Sequence, residues 1–281
     1  MSEPKEEVID MPNDNLSAPK VSHEKDYYQK GEEYPVEIKS QEQGSNSEES
    51  DEVNETSINM SVRAGFIRKV YGILSIQLMI TFGSVFLCQL KPIKTAILKS
   101  QAMSANLVVF ASILFIVLFL CLACCRGLSR KVPYNYLFLL GITLCEAIMC
   151  SIASSIYSFQ IVALALLLTI VATLAITFYA CTTKTDFSVC RVGLYVLFSQ
   201  MFTIGIIAVL FRMRALYTFY TFGMTGMVGI YLVYDTQIII GKLGVGYSVD
   251  DYIFATLEIY MDIIRLFLLI LRILGNSSRR N

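Results

Sequence analysis

The sequence predicts an all-α membrane protein: a seven-transmembrane-helix bundle preceded by a disordered acidic N-terminal arm. Three observations point there. Of 281 residues 55% are hydrophobic, and mean hydropathy is +0.58, too apolar for an ordinary soluble domain. From Phe66 onward the apolar residues gather in segments near twenty residues, enough for about 30 Å of hydrocarbon at a rise of about 1.5 Å per residue. The zero net charge also hides a division. Residues 1–61 carry 16 Asp or Glu against 5 Lys, whereas the remainder carries 7 acids against 18 Lys or Arg.

Three regions follow: an acidic arm at 1–61, a membrane domain at 62–275 and a short basic tail at 276–281. The arm is rich in Glu, Ser, Asn and Gln and poor in large apolar groups. Such a segment buries too little surface to offset its ordering entropy, so disorder is expected. No apolar run precedes Phe66, so nothing resembles a signal peptide and the arm is expected on the cytosolic side. Eight cysteines lie in or beside apolar runs, where cysteine behaves as a small hydrophobe. Cys121, Cys124 and Cys125 have metal-like spacing, but the single histidine, His23, is far away in the arm.

The seven expected spans are Phe66–Leu90, Ala105–Cys125, Tyr134–Ser155, Ile161–Cys181, Cys190–Phe211, Tyr217–Ile240 and Tyr252–Leu274. Lys91-Pro92, the basic stretch from Arg126 to Pro133, Tyr157-Ser158, Lys184 to Asp186, Arg212 to Arg214 and Gly241 to Asp251 separate them. The seventh span is the least hydrophobic and also fits a re-entrant segment. Trp is absent, so the interfacial belt falls to tyrosine, with Tyr134, Tyr136, Tyr157, Tyr217 and Tyr252 at segment ends. With the N-terminus inside, nine Lys or Arg collect on the cytosolic side and seven on the far side, a weak bias. Gly223, Gly226 and Gly229 in the sixth span permit close helix approach.

The chemistry lies in acids placed within apolar runs. Charge at the centre of a membrane helix costs about 2.5–3.5 kcal/mol on insertion scales, so such groups face a partner or a water-filled path. Glu258, Asp262, Arg265 and Arg272 share one face of the seventh span, which places that face towards a cavity inside the bundle. Asp235 in the sixth span lies roughly 9 Å from the membrane edge, with Glu258 at about 9 Å and Asp262 at about 15 Å. Depth alone therefore pairs Asp235 with Glu258 at least as well as with Asp262. Two carboxylates in a poorly solvated site cannot both ionise cheaply, and their protons leave as a coupled pair. At lower pH a shared proton holds the helices together. At higher pH repulsion follows, or a site for a hard cation with oxygen ligands. The structural alternative is a network in which Asp262 and Arg265 neutralise each other. Glu146, deep in the third span, extends a cation path or hydrogen-bonds in its protonated form. Asp250 and Asp251 sit at the mouth of the seventh span, attracting cations or complementing the helix dipole.

These residues also carry a resemblance. VRAGFIRKVYGILSIQ at 62–77, VPYNYLFLLGITLCEA at 132–147, TKTDF at 183–187, YDTQ at 234–237 and DDYIFATLEIYMDIIRLFL at 250–268 resemble the transmembrane Bax-inhibitor-motif family, closest to its Lifeguard branch. The resemblance implies a bundle whose last helix is central and wrapped by six others. It implies a calcium-permeable leak in Golgi or endoplasmic reticulum membranes that lowers store calcium and dampens apoptosis. The family's pH-responsive aspartate pair falls on Asp235 and Asp262, which would contact Ca²⁺ transiently. An acid implicated in conduction matches Asp250, where Glu is usual, and the gate-latching arginine falls on Arg126 or Arg130. The glycines of KLGVGYSV at 242–249 depart from the family pattern and leave the geometry of the pair open. No cofactor beyond the permeant ion is implied; the partners are the lipid bilayer and apoptosis regulators, with no nucleic acid.

Three other classes compete. A seven-helix receptor would need an extracellular ligand pocket and nucleotide-exchange coupling, for which no motif is visible. A non-conducting scaffold would regulate cell death by protein–protein binding alone. An intramembrane aspartyl protease would also use two membrane aspartates, and Tyr234-Asp235 fits half of that motif. The other half fails, because Gly244-Val245-Gly246 is followed by Tyr247 and no glycine adjoins Asp262. A non-enzymatic role is the expectation.

Overall fold

The computed structural model describes residues 47–124, 132–185, 191–241 and 251–278, with side chains from Met60 onward except that of Arg191. The chain divides into two units, Met1–Glu48 and Glu49–Asn281, and the helix bundle belongs to the second. Among the described residues every regular element is a helix. In order they are α1 (Ser47–Cys88), α2 (Lys91–Lys99), α3 (Gln101–Cys124), α4 (Tyr134–Ser155), α5 (Phe159–Thr182), α6 (Arg191–Leu210), α7 (Arg214–Ile240) and α8 (Tyr252–Ser278).

Two elements differ from expectation. The first helix begins at Ser47, inside the acidic stretch, because no proline interrupts the chain between there and Cys88. Lys91-Pro92, expected as punctuation, opens α2, where Pro92 occupies the first turn and needs no N–H partner. Pro92 starts a helix here rather than ending one. α2 has no buried residue and lies against α3 and α4.

Among the described residues six helices are long and apolar enough to cross a membrane: α1 from Met60, then α3, α4, α5, α6 from Val192, and α7. α8 stands apart, because its four ionisable residues interrupt any stretch of span length. It nevertheless holds much of the core. α8 packs against α7, α5 and α4, and fully buries Ile253, Leu257, Tyr260, Ile264, Phe267 and Leu271. The ring of Phe82 on α1 meets Phe267 edge-on at 5.5 Å. α3 and α6 are the least buried spans.

Lipid is as apolar as leucine, so burial of apolar surface alone does not hold helices together in a membrane. Close packing and interhelical hydrogen bonds must supply the cohesion. Gln77 Nε2 donates to Thr143 Oγ1 at 2.8 Å, Thr81 Oγ1 and Tyr260 OH lie 2.8 Å apart, and Ser151 Oγ donates to Ser84 Oγ at 3.0 Å. Gln89 Nε2 adds a bond to Ser154 O at 2.9 Å. Each such bond is worth about 0.6 kcal/mol on average and at most about 1.7. Together they join α1 to α4 and α8 over the lower half of α1.

The tyrosines at the segment ends differ in burial. Tyr134 is exposed, but Tyr252 is buried, accepts a bond from Asn135 Nδ2 at 2.9 Å and lies 3.5 Å beneath Lys69 Nζ. The glycines of α7 also divide. Gly223 approaches Met201 and Gly229 approaches Ile176, whereas nothing lies within 4 Å of a side chain added at Gly226. Gly226 instead opens onto an apolar cavity of about 420 Å³ between α5, α7 and α8, which Gly229 also lines. Close packing accounts for the two outer glycines only.

Candidate functional site

α7 and α8 run antiparallel and form the most extensive helix pair, which brings Asp235 near the end of α7 beside the first half of α8. The local sequence fixes α7 at that end. Gly241 caps it with φ 84°, in the left-handed region open to glycine, and its N–H reaches Gln237 O at 3.1 Å and Ile238 O at 3.0 Å. Gln237 is buried and donates to Thr185 O at 3.0 Å, tying YDTQ to the TKT segment after α5. The guanidinium of Arg63 donates to Ile238 O, stacks on Phe66 and fills the space over Gly241. The acid of YDTQ is thus carried on a helix end held from two sides.

Asp235 and Asp262 are 9% and 5% exposed, and their carboxyls lie within hydrogen-bonding reach of one another. Depth had left Glu258 as an equal partner; the contact is with Asp262. Asp262 Oδ1 also faces Arg265 Nη1 at 3.4 Å, whereas Asp262 Oδ2 is buried with no hydrogen-bond donor. Two unprotonated carboxylates offer each other only acceptors. The contact is satisfied when a proton, or a cation, sits between them.

The surroundings sharpen that requirement. Glu258 on α8 is close enough to act on both aspartates, and Arg265 acts on both and on Glu146. Glu146 on α4 is itself buried. From α7, Tyr231 lies in the field of both aspartates and donates to Leu194 O at 3.2 Å; Tyr195 on α6 adds a second phenol. Three carboxyls, those of Asp235, Asp262 and Glu146, therefore share the influence of a single guanidinium. Fully ionised, they would leave a net charge of about −2 in a medium that tolerates little charge. Protons or a hard cation must balance it. Oxygen-only donors of this kind suit Ca²⁺, although no cluster of three or more potential metal ligands is assembled among the described residues.

The charged stripe of α8 is not enclosed as expected. Asp262 is buried, but Glu258 is exposed and the Arg265 side chain is 54% exposed. The stripe therefore opens at the bundle surface on either side of a closed aspartate contact. The apolar cavity of α5, α7 and α8 does not reach the pair. Arg272 stands farther along α8, 5.4 Å from the Tyr217 ring. Asp250, Arg126 and Arg130 lie outside the described residues, as do the first 46 residues of the acidic arm and the basic pair of the tail.

Sequence reasoning passed over Arg63, Gln237 and Tyr231. Arg63 and Gln237 belong to stretches already singled out, VRAGF and YDTQ; in YDTQ the acid alone drew notice. Tyr231 lies four residues before Asp235, one turn away on the same face, a spacing that would have found it.

Comparison with known proteins follows the same boundaries. The family described as Inhibitor of apoptosis-promoting Bax1 matches residues 63–279. Human Protein lifeguard 3 is 32% identical over 222 residues, covering 77% of this chain and 70% of the relative. Its mouse counterpart is 31% identical over 222 residues. The Golgi anti-apoptotic protein of vaccinia virus (strain Lister) is 30% identical over 232 residues, covering 80% of this chain and 90% of the relative.

Proposed function

The chain belongs to the family of inhibitors of apoptosis-promoting Bax1 and is a multi-pass membrane protein; we propose that it dampens apoptosis as a pH-modulated passive calcium leak of internal membranes. The observation that carries this reading is the contact of Asp235 with Asp262 between α7 and α8. A shared proton closes that contact. Its loss leaves two buried anions that repel one another and attract a divalent cation.

In this reading α8 is the seventh crossing. Its 27 residues span roughly 40 Å, and the surrounding helices shield Asp262 from lipid. Glu258 and Glu146 continue the ion path on either side of the pair, Asp250 draws cations to its mouth, and Arg126 latches the closed state. The name of the vaccinia relative supports a Golgi or endoplasmic reticulum membrane; in this reading the N-terminus faces the cytosol. The anti-apoptotic names of the relatives support the role in cell death, through store calcium or through bound apoptosis regulators.

Reconstitution of the full chain in dye-loaded liposomes tests the proposal. Calcium entry above that of an unrelated seven-helix protein is the expected result. No entry at any pH, with folded protein, would leave a non-conducting scaffold as the better account. Cleavage of a reporter peptide, blocked by an inhibitor of aspartate dyads, would point instead to a protease.

A further inference from the structure

The end of the bundle opposite the aspartate pair holds a second polar site. Where α7 begins and α8 ends, a cavity of about 610 Å³ is lined by Arg214, Tyr217, Thr218 and Thr221 from α7 and by Asn276 and Ser277 from α8, among others. That volume lies within the ordinary range of small-molecule pockets. Tyr217 carries a second guanidinium, that of Arg272, on its ring. Thr218 and Thr221 spend their hydroxyl protons on Arg214 O at 3.0 Å and Tyr217 O at 2.8 Å. Donors for a guest therefore come from Arg214, Asn276, Ser277 and the Tyr217 phenol.

The charge around this cavity has one sign. The described segments that reach this end of the bundle are 88–101, 156–160, 211–215 and 273–278, and they contain Lys91, Lys94, Lys99, Arg212 and Arg214 with no Asp or Glu. Among the described residues Arg214 has no carboxylate partner. An unpaired guanidinium at the wall of a hydroxyl- and amide-lined cavity matches the planar, two-pronged recognition of phosphate oxygens. The candidate membrane span of α7 begins at Arg214, and a cavity at the end of such a span falls at the depth of lipid headgroups once the helix crosses.

We propose that this cavity binds a phosphate ester, with Arg214 as the principal contact. Membrane phospholipid and a soluble phosphate ester share that chemistry. The site is independent of the calcium reading, because it lies at the other end of α7 from Asp235.

The test uses the full chain in nanodiscs of phosphatidylcholine, alone or with phosphatidylglycerol, scored by native mass spectrometry for retained lipid. A parallel arm adds glycerol phosphate to the phosphatidylcholine sample and reads thermal unfolding. Retention of one phospholipid, phosphatidylcholine or phosphatidylglycerol, identifies the lipid source; stabilisation by glycerol phosphate with no lipid retained identifies the soluble one. In either arm Arg214→Gln should weaken binding about tenfold and Arg214→Lys less, since an ammonium keeps the charge but loses the fork. Lys91→Gln with Lys99→Gln, on the same face away from the cavity, should leave binding unchanged. Equal loss in the arginine and lysine variants would reduce the effect to diffuse attraction and overturn the site. So would the absence of binding in both arms.

Discussion

Gly275 lies directly beneath the ring of Tyr157: a Cβ built on it would fall 1.9 Å from Cε1 and 2.5 Å from Cδ1 of that ring. The far end of α8 is therefore pinned by the segment between α4 and α5. Gly275→Ala should force the ring or α8 aside and lower the thermal midpoint of the purified protein by several degrees, a cost of about 1–3 kcal/mol for overpacking. Gly226→Ala, which meets open space, should leave the midpoint unchanged or raise it slightly. Equal destabilisation by both would contradict the packing described.

The Thr81–Tyr260 bond is buried on both sides and joins α1 to α8. Tyr260→Phe and Thr81→Val should each cost about 1 kcal/mol, and the double variant should cost little more than either alone. A double-mutant cycle by detergent unfolding measures this coupling; additive losses would show that the two hydroxyls do not act on each other.

Arg63 holds the end of α7 on which Asp235 rides. Arg63→Ala should free the carbonyl of Ile238 and speed amide exchange across the last turn of α7, with little effect on α5 or α6. Hydrogen–deuterium exchange resolved by peptide reads that pattern. Uniform acceleration would mean general destabilisation instead.

Much of this architecture was legible in the sequence, and the exceptions have physical causes. Six spans follow from apolar runs, because a helix in lipid satisfies its own backbone and shows itself as length and hydropathy. α8 resists that reading: its hydropathy is broken by Glu258, Asp262, Arg265 and Arg272, the groups that make it interesting. The choice between Glu258 and Asp262 as partner of Asp235 was not legible. Counting residues gives depth along an axis, whereas tilt and rotation decide which side chain a neighbour meets. The burial of Tyr252 was hidden for a similar reason, since a tyrosine at a segment end looks the same whether it faces headgroups or Asn135.

Arg265 is the cation shared by Asp235, Asp262 and Glu146. Arg265→Gln removes the charge that favours their ionised forms, so a proton between the aspartates should be held more firmly. Calcium flux through the variant should need a more alkaline pH than wild type before it rises. A shift to lower pH would show that Arg265 does not face the pair in the membrane.

The central claim is that a proton shared by Asp235 and Asp262 keeps α7 and α8 together. Its sign is definite: flux is low where the pair keeps its proton and increases as pH rises and the proton leaves. Asparagine at either position can donate to the remaining aspartate without titrating, and so should imitate the closed state. Calcium flux into liposomes, measured across acid to alkaline pH for wild type, Asp235→Asn and Asp262→Asn, is the most direct test. The account predicts a rise with pH in wild type and a low, flat response in both variants. A wild-type rise retained in both variants would contradict it.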